Sequence, residues 1–209
     1  MENIKIVFAT GNKHKIEEFG EILKKYIPDI ELVSMKEVGI FDDIVEDGIT
    51  FEENAMIKAR AVSKYGYIGV ADDSGLTVEA LGGAPGIYSA RYAGEHGNDK
   101  KNNQKLLADM QGIENRDAAF VCTIACAFPK HMSNDDFCVR GECRGIILHE
   151  ERGEGGFGYD PLFFVEKCNK TYAELSADEK NEISHRAVAT ELFANKFCME
   201  LLNKGEINE

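Results

Sequence analysis

The hydrophobic and polar positions of this chain fall into alternating strand-like and helix-like segments. Ile4–Ala9 is a short apolar run that predicts a first strand, broken by Thr10-Gly11-Asn12. From Lys13 to Tyr26 the apolar positions Ile16, Phe19, Ile22, Leu23 and Tyr26 recur on one helical stripe. Pro28 closes that region and Ile30–Val33 predicts a second strand. Val38–Gly48 is irregular and acidic, with Asp42, Asp43, Glu46 and Asp47. Thr50-Phe51-Glu52-Glu53 has the pattern of a capping box, in which Thr50 caps the helix and Glu53 reaches back to the Thr50 amide. The helix it opens runs to about Lys64, with Ala55, Ala59 and Val62 near one face.

Tyr67–Ala71 predicts a short buried strand, Gly82–Gly86 a loop and Asp99–Met110 a helix. Ala118–Phe128 and Cys138–Leu148 are strand regions joined by the polar turn Lys130–Asp136, the pattern of a long hairpin. A glycine-rich stretch, Gly153–Pro161, precedes the short apolar Leu162–Val165. Ser176-Ala177-Asp178-Glu179 is a second capping box. Ser184 opens a last helix with Leu192, Phe193, Phe197, Leu201 and Leu202 at its apolar positions. Interleaved strands and helices predict an α/β protein with a mixed sheet.

Composition narrows the classes. The 209 residues suit one domain, or one domain with two lobes, and 44% apolar content supports a real core. No apolar run reaches membrane-spanning length, and no basic segment with a long apolar core starts the chain, so neither a membrane span nor a secretory signal is expected. The six cysteines, at 122, 126, 138, 143, 168 and 198, form no Cys-x-x-Cys pair. Their spacing argues against zinc and for reduced thiols in the cytoplasm, with Cys122 and Cys126 acting as small core hydrophobes. The net charge of −13, from 24 Lys and Arg against 37 Asp and Glu, argues against nucleic-acid binding. A polyphosphate ligand would need a metal ion and local cations.

The sharpest candidate chemistry is Ala71-Asp72-Asp73-Ser74-Gly75. Two carboxylates at the end of a buried strand are tolerated when a cation sits between them or when one has a raised pKa. The same residues make tight turns, so the pentapeptide alone reads as a strand-ending turn as readily as a site. Thr10-Gly11-Asn12-Lys13-His14-Lys15 places amides and cations at a helix N-terminus, a ready anion site. Lys15 there opposes the helix dipole, a poor choice for stability and a good one for holding phosphate. No Walker motif is present. Glu46 with Asp72 and Asp73 makes a hard-oxygen set suited to Mg²⁺, although on spacing alone Glu46 reads as a solvated loop acid. Lys58 and Lys180 read by default as surface lysines, and Ser184-His185-Arg186 as a helix start carrying donors.

Together these blocks resemble the inosine triphosphate pyrophosphatase family. The matching pieces are Thr10-Gly11-Asn12-x-x-Lys15, Glu46-Asp47-Gly48-x-Thr50-Phe51-x-x-Asn54-Ala55-x-x-Lys58-Ala59, Ala71–Leu76, Leu81-Gly82-Gly83-x-Pro85-Gly86-x-x-Ser89-Ala90-Arg91, Gly155–Pro161 and Ser184-His185-Arg186. The resemblance implies a two-lobed α/β protein, with a long twisted mixed sheet flanked by helices and a central cleft. It implies hydrolysis of ITP, dITP and XTP to the nucleoside monophosphate and pyrophosphate, with Mg²⁺ (or Mn²⁺ in its place), by a homodimer. By the same resemblance Asp73 is the general base, with Asp72 beside it, and Glu46 and Asp73 hold the metal. Thr10, Gly11, Asn12, Lys13, His14 and Lys15 cradle the phosphates, with Lys58 a further cation. Ser74, Phe157, Gly158, Tyr159, Asp160, Lys180, His185 and Arg186 form the nucleotide pocket. Donors such as Arg186 suit a 6-oxo purine and leave adenine badly paired.

Two rivals share these residues. The septum-formation inhibitor family is similar in architecture and hydrolyses pyrimidine triphosphates; the Ser184-His185-Arg186 and Phe157–Asp160 blocks favour the purine family. A catalytically silent nucleotide-binding regulator would not need Lys15, Glu46, Asp72 and Asp73 all to be present.

Overall fold

The computed structural model describes residues 4–205. Its element order is β1 (Ile4–Phe8), α1 (Lys13–Tyr26), β2 (Ile30–Ser34), α2 (Phe51–Ser63), β3 (Ile68–Val78), α3 (Asp99–Asp109), β4 (Asp117–Ala127), β5 (Phe137–Ile147), β6 (Phe163–Val165), β7 (Lys170–Thr171), α4 (Ala177–Ile183) and α5 (His185–Gly205), with short 3₁₀ turns between them. The strands form one mixed sheet in the order β2-β1-β3-β4-β5-β6-β7. β1 runs parallel to β2 and β3, while β6 is antiparallel to β5 and β7. This is the α/β architecture that the interleaved pattern predicts.

The chain divides into two compact units. The first comprises the described residues of Met1–Asp73, Cys122–Gly141 and Arg186–Glu209. In it, strand alternation sorts the core by face. Ile6, Phe8, Ile68, Val70, Cys122, Ile124 and Cys126 pack with Phe19 and Leu23 of α1 and Phe193 and Phe197 of α5. Val7, Ala9, Ala71, Ala125 and Ala127 pack on the other face with Ala55, Ala59 and Val62 of α2. Cys122 and Cys126 are thus core residues, and all six cysteines are free thiols. The second unit, Ser74–Val121 and Glu142–His185, closes around Leu76, Val78, Leu106, Phe120, Ile147, Leu162, Phe163 and Tyr172.

Several expectations need correction. The strand expected over Tyr67–Ala71 does not stop before the Asp pair: β3 runs on through Asp72-Asp73-Ser74-Gly75 to Val78. The turn reading of that pentapeptide therefore fails. Its glycine serves close approach instead, because a Cβ on Gly75 would sit 2.4 Å from both the Gly86 carbonyl oxygen and the Ser89 hydroxyl. Leu76 and Val78 beyond it are fully buried, which rewards continuing the strand. Thr50 caps α2 by accepting from the Glu53 amide at 3.1 Å, but Glu53 reaches back to the Ile49 amide at 2.7 Å rather than to Thr50. The capping box at Ser176 and Glu179 forms as expected. Tyr26, Leu192 and Leu202 lie at the margins of their helical stripes and are exposed.

Candidate active site

The functional candidates of the first unit gather where β3 meets the ends of β1 and the helices. Successive strand residues face opposite ways. Asp72 therefore continues the face of Ile68 and Val70, and Asp73 the face of Ala71.

On the Asp72 side, Asn12 caps α1 by accepting from the amides of His14 and Lys15 at 3.0 and 3.4 Å. Thr10 Oγ1 in turn accepts from the Asn12 amide at 3.2 Å. The helix N-terminus is thus organised by Asn12, while the side chains of Lys13 and His14 stand exposed. Lys15 Nζ lies 3.2 Å from Asp72 Oδ2, and Arg186 Nη2 of α5 donates to the same oxygen at 3.0 Å. Arg186 Nη1 donates to Glu18 of α1, and the Cys122 thiol lies 3.8 Å from Asp72. Asp72 and Arg186 are each about 1% exposed. Burial alone would raise the Asp72 pKa, but Lys15, Arg186 and Lys58 outweigh it and hold the carboxyl well below the usual carboxylate range. Burial and the charge of Asp72 push the Cys122 thiol up to about 12. Asp72 is therefore held in its charged form by its cations, and the Arg186 guanidinium is committed to Asp72 and Glu18. Its reading as a donor to a 6-oxo group gains no contact from this geometry.

On the Asp73 side, Lys58 of α2 is buried rather than the surface lysine that its isolation suggests. Its ammonium sits 2.7 Å from Glu46 Oε2 and 3.1 Å from Asp73 Oδ1. Burial would lower the Lys58 pKa, but Asp73, Asp72 and Glu46 together raise it, so it stays charged. Asp73 shows the opposite balance to Asp72. Its burial outweighs the nearby lysines, and its pKa is raised. Asp73 Oδ2 is buried and has no hydrogen-bond partner among the described residues.

The candidates of the second unit lie on and around the glycine-rich loop, beside buried aromatic rings. Asp160 is buried and its Oδ2 accepts from the Phe157 amide at 2.9 Å and from Lys180 Nζ at 2.8 Å. Gly156 permits this turn: its φ is +73°, and a Cβ there would lie 2.1 Å from Asp160 Oδ2. Lys180, on α4, is buried rather than solvated, with its ammonium 4.8 Å from the Phe157 ring centroid and 5.3 Å from that of Tyr172. The His185 ring stacks on Phe120 at 4.9 Å and on Tyr172 at 6.1 Å. The Tyr159 hydroxyl donates to the Ser89 carbonyl at 2.8 Å. Ser74 is half-buried on β3.

Sequence reasoning missed Glu18, Cys122, Phe120 and Tyr172. Only Glu18 carried a signal: it lies three residues after Lys15, beside the apolar stripe of α1, where an acid is out of place unless it is paired.

Among the described residues no group of three or more His, Cys, Asp or Glu is arranged to hold a metal ion, and no helix is long and apolar enough to cross a membrane. Mg²⁺ needs no such cage. It takes one or two carboxylates and completes its shell with water and substrate phosphate. Glu46 and Asp73 fit that requirement, because Asp73 Oδ2 is a buried oxygen in need of a cation or donor.

A model of the Ham1 family matches residues 6–196. A relative from Lactobacillus acidophilus, named dITP/XTP pyrophosphatase, is 51% identical over 185 residues, spanning 87% of this chain and 91% of its own. One of the same name from Clostridium tetani is 49% identical, spanning 87% and 90%. The structure of the Staphylococcus aureus Ham1 protein superposes with a TM-score of 0.84 at 43% identity, covering 94% of this chain and 99% of its own.

Proposed function

The chain belongs to the Ham1 family, and from that premise we propose that it hydrolyses the non-standard purine nucleoside triphosphates ITP, dITP and XTP to the nucleoside monophosphate and pyrophosphate, clearing deaminated purines from the nucleotide pool. It is an enzyme, a hydrolase of triphosphate anhydrides. The observation that carries the reading is Asp73, a half-buried carboxylate of raised pKa whose Oδ2 is buried and unpartnered, held beside Lys58 and Glu46.

A general base works best when its pKa is lifted toward the working pH. Asp73 takes a proton from water as the water oxygen bonds to phosphorus. The bridging P–O bond breaks, and its electron pair departs on pyrophosphate. Lys58 keeps Asp73 oriented by holding Oδ1. Asp72 does not act on water. It holds the Lys15 ammonium, ~3 Å away, at the phosphate side, and Thr10 to His14 shape the segment around it. A divalent cation suits the family's chemistry; we assign Mg²⁺, held by Glu46 and Asp73, which when bound neutralises phosphate charge and acidifies water. Mn²⁺ offers the same ligand preferences.

In the second unit, Phe157 offers a ring face to the base, and Lys180 and Asp160 offer a charged donor and acceptor near its edge. Ser74, Gly158, Tyr159 and His185 complete the proposed nucleotide-binding set, and Arg186 serves it indirectly by holding Asp72. The protein works in the cytoplasm as a homodimer, without nucleic-acid or membrane partners, in keeping with its acidity and free thiols.

The test is pyrophosphate release from ITP, dITP, XTP, ATP, GTP, TTP and UTP, with Mg²⁺ and with chelator. Metal-dependent release from the first three, with little from the rest, is expected. Release from TTP or UTP alone would transfer the chain to pyrimidine hydrolysis.

A further inference from the structure

The loop that carries Phe157 is rich in glycine. Gly153, Gly156 and Gly158 all adopt left-handed backbone conformations, with φ of +89°, +73° and +62°. Each leaves the chain more freedom in the unfolded ensemble than any other residue would. A ring that stacks on a base must nevertheless be held still, because ordering a loose loop on binding subtracts from affinity.

Helix α3 supplies the restraint. Asp99 Oδ2 accepts from the Gly158 amide at 2.8 Å. One turn on, buried Asn103 donates through Nδ2 to the Gly158 carbonyl at 3.2 Å and to Glu151 Oε1 at 3.0 Å. Residues four apart on a helix share a face, so one face of α3 grips Gly158 at both its N–H and its C=O. Asp99 fixes the peptide joining Phe157 to Gly158, and Asn103 the peptide joining Gly158 to Tyr159. The Phe157 amide on the other side is held by Asp160. Three successive peptide groups around the ring are thereby pinned.

We propose that Asp99 and Asn103 are positioning residues for the nucleobase: a two-point clamp from α3 onto Gly158 that sets the Phe157 ring before substrate arrives. Neither touches the reacting atoms. This rests on the pocket reading given above, so the decisive experiment uses a readout that does not depend on turnover.

The chain contains no tryptophan, so Phe157→Trp installs a single indole, excited selectively over the tyrosines, at the ring position. In that background Asp99→Ala and Asn103→Ala lower the steady-state anisotropy of the indole, and Asp99→Asn, which keeps an acceptor oxygen, restores it. Asp99 is exposed, so its substitution leaves the core intact even where Asn103→Ala weakens the fold. With natural Phe157, Asp99→Ala raises KM for dITP about threefold, the scale of one exposed hydrogen bond, with kcat within about twofold. In a Phe157→Ala background Asp99→Ala adds no further rise, because the two act through one ring. Unchanged anisotropy in Asp99→Ala and Asn103→Ala overturns the clamp, as does a KM effect that adds to that of Phe157→Ala. A protein that releases no pyrophosphate from any triphosphate removes the functional reading alone, and the anisotropy result still decides the clamp.

Discussion

Asp72 and Asp73 are neighbours in sequence, and β3 turns them to opposite faces, Asp72 to Lys15 and Arg186 and Asp73 to Lys58. Their pKa values are pushed apart as a result, Asp72 down by its cations and Asp73 up by burial. Two carboxylates with divergent environments are a signature of divided labour. In the proposed mechanism one holds charge in place while the other exchanges a proton.

Asp73→Asn tests that division. The amide keeps the shape and an oxygen for Lys58 but cannot accept a proton from water. Loss of a general base costs a factor of about 10²–10⁴. We expect kcat for dITP to fall by that amount, while dITP binding by calorimetry persists. Turnover near that of the unaltered protein would remove Asp73 as the base.

Asp72→Ala should act on the fold. It leaves Arg186, about 1% exposed, and Lys15 facing each other without their shared carboxylate. Breaking a buried pair by removing one partner costs about 3–5 kcal/mol. Urea unfolding should show a loss on that scale. A loss under about 1 kcal/mol would mean that Glu18 alone satisfies Arg186.

The same group sets a pH dependence of stability. The folded-state pKa of Asp72 is depressed, so its contribution is fully present above the unfolded value near 3.8 and drains as pH falls below it toward the folded value. Each unit of depression is worth about 1.4 kcal/mol. Unfolding free energy should fall more steeply below about pH 4 in the natural chain than in Asp72→Asn, which has no proton to bind there. Parallel slopes would show that other carboxylates carry the acid limb.

Periodicity exposed the framework: α1 over Lys13–Tyr26 and the Ser176 cap follow directly from it. The functional blocks were visible as motifs, but their partners were not. Lys58 and Lys180 look like surface lysines because nothing local reveals that each is buried against carboxylates distant in sequence, Asp73 and Asp160 among them. Tyr172 and Phe120 read as ordinary core aromatics, and only the folded chain stacks them with His185. The sequence pattern ends β3 early because Asp-Asp-Ser-Gly has the composition of a turn. The burial of Leu76 and Val78, a tertiary effect, overrode that preference.

Lys180→Met separates electrostatics from packing beside the aromatic rings. Methionine replaces the lysine stem, so the hydrophobic contact with Phe157 and Tyr172 survives and the ammonium above both rings is lost. Buried Asp160 then keeps the Phe157 amide as a donor but loses its cation at 2.8 Å. A carboxylate left in that position draws a proton or a water molecule, and either weakens its hold on the loop. KM for dITP should rise about tenfold or more, the scale of a charge-assisted hydrogen bond, while kcat changes little because Asp73 and Lys58 are untouched. Lys180→Arg should recover part of the loss, since a guanidinium can still bond Asp160. A fall in kcat at constant KM would instead place Lys180 among the groups that act on the transition state.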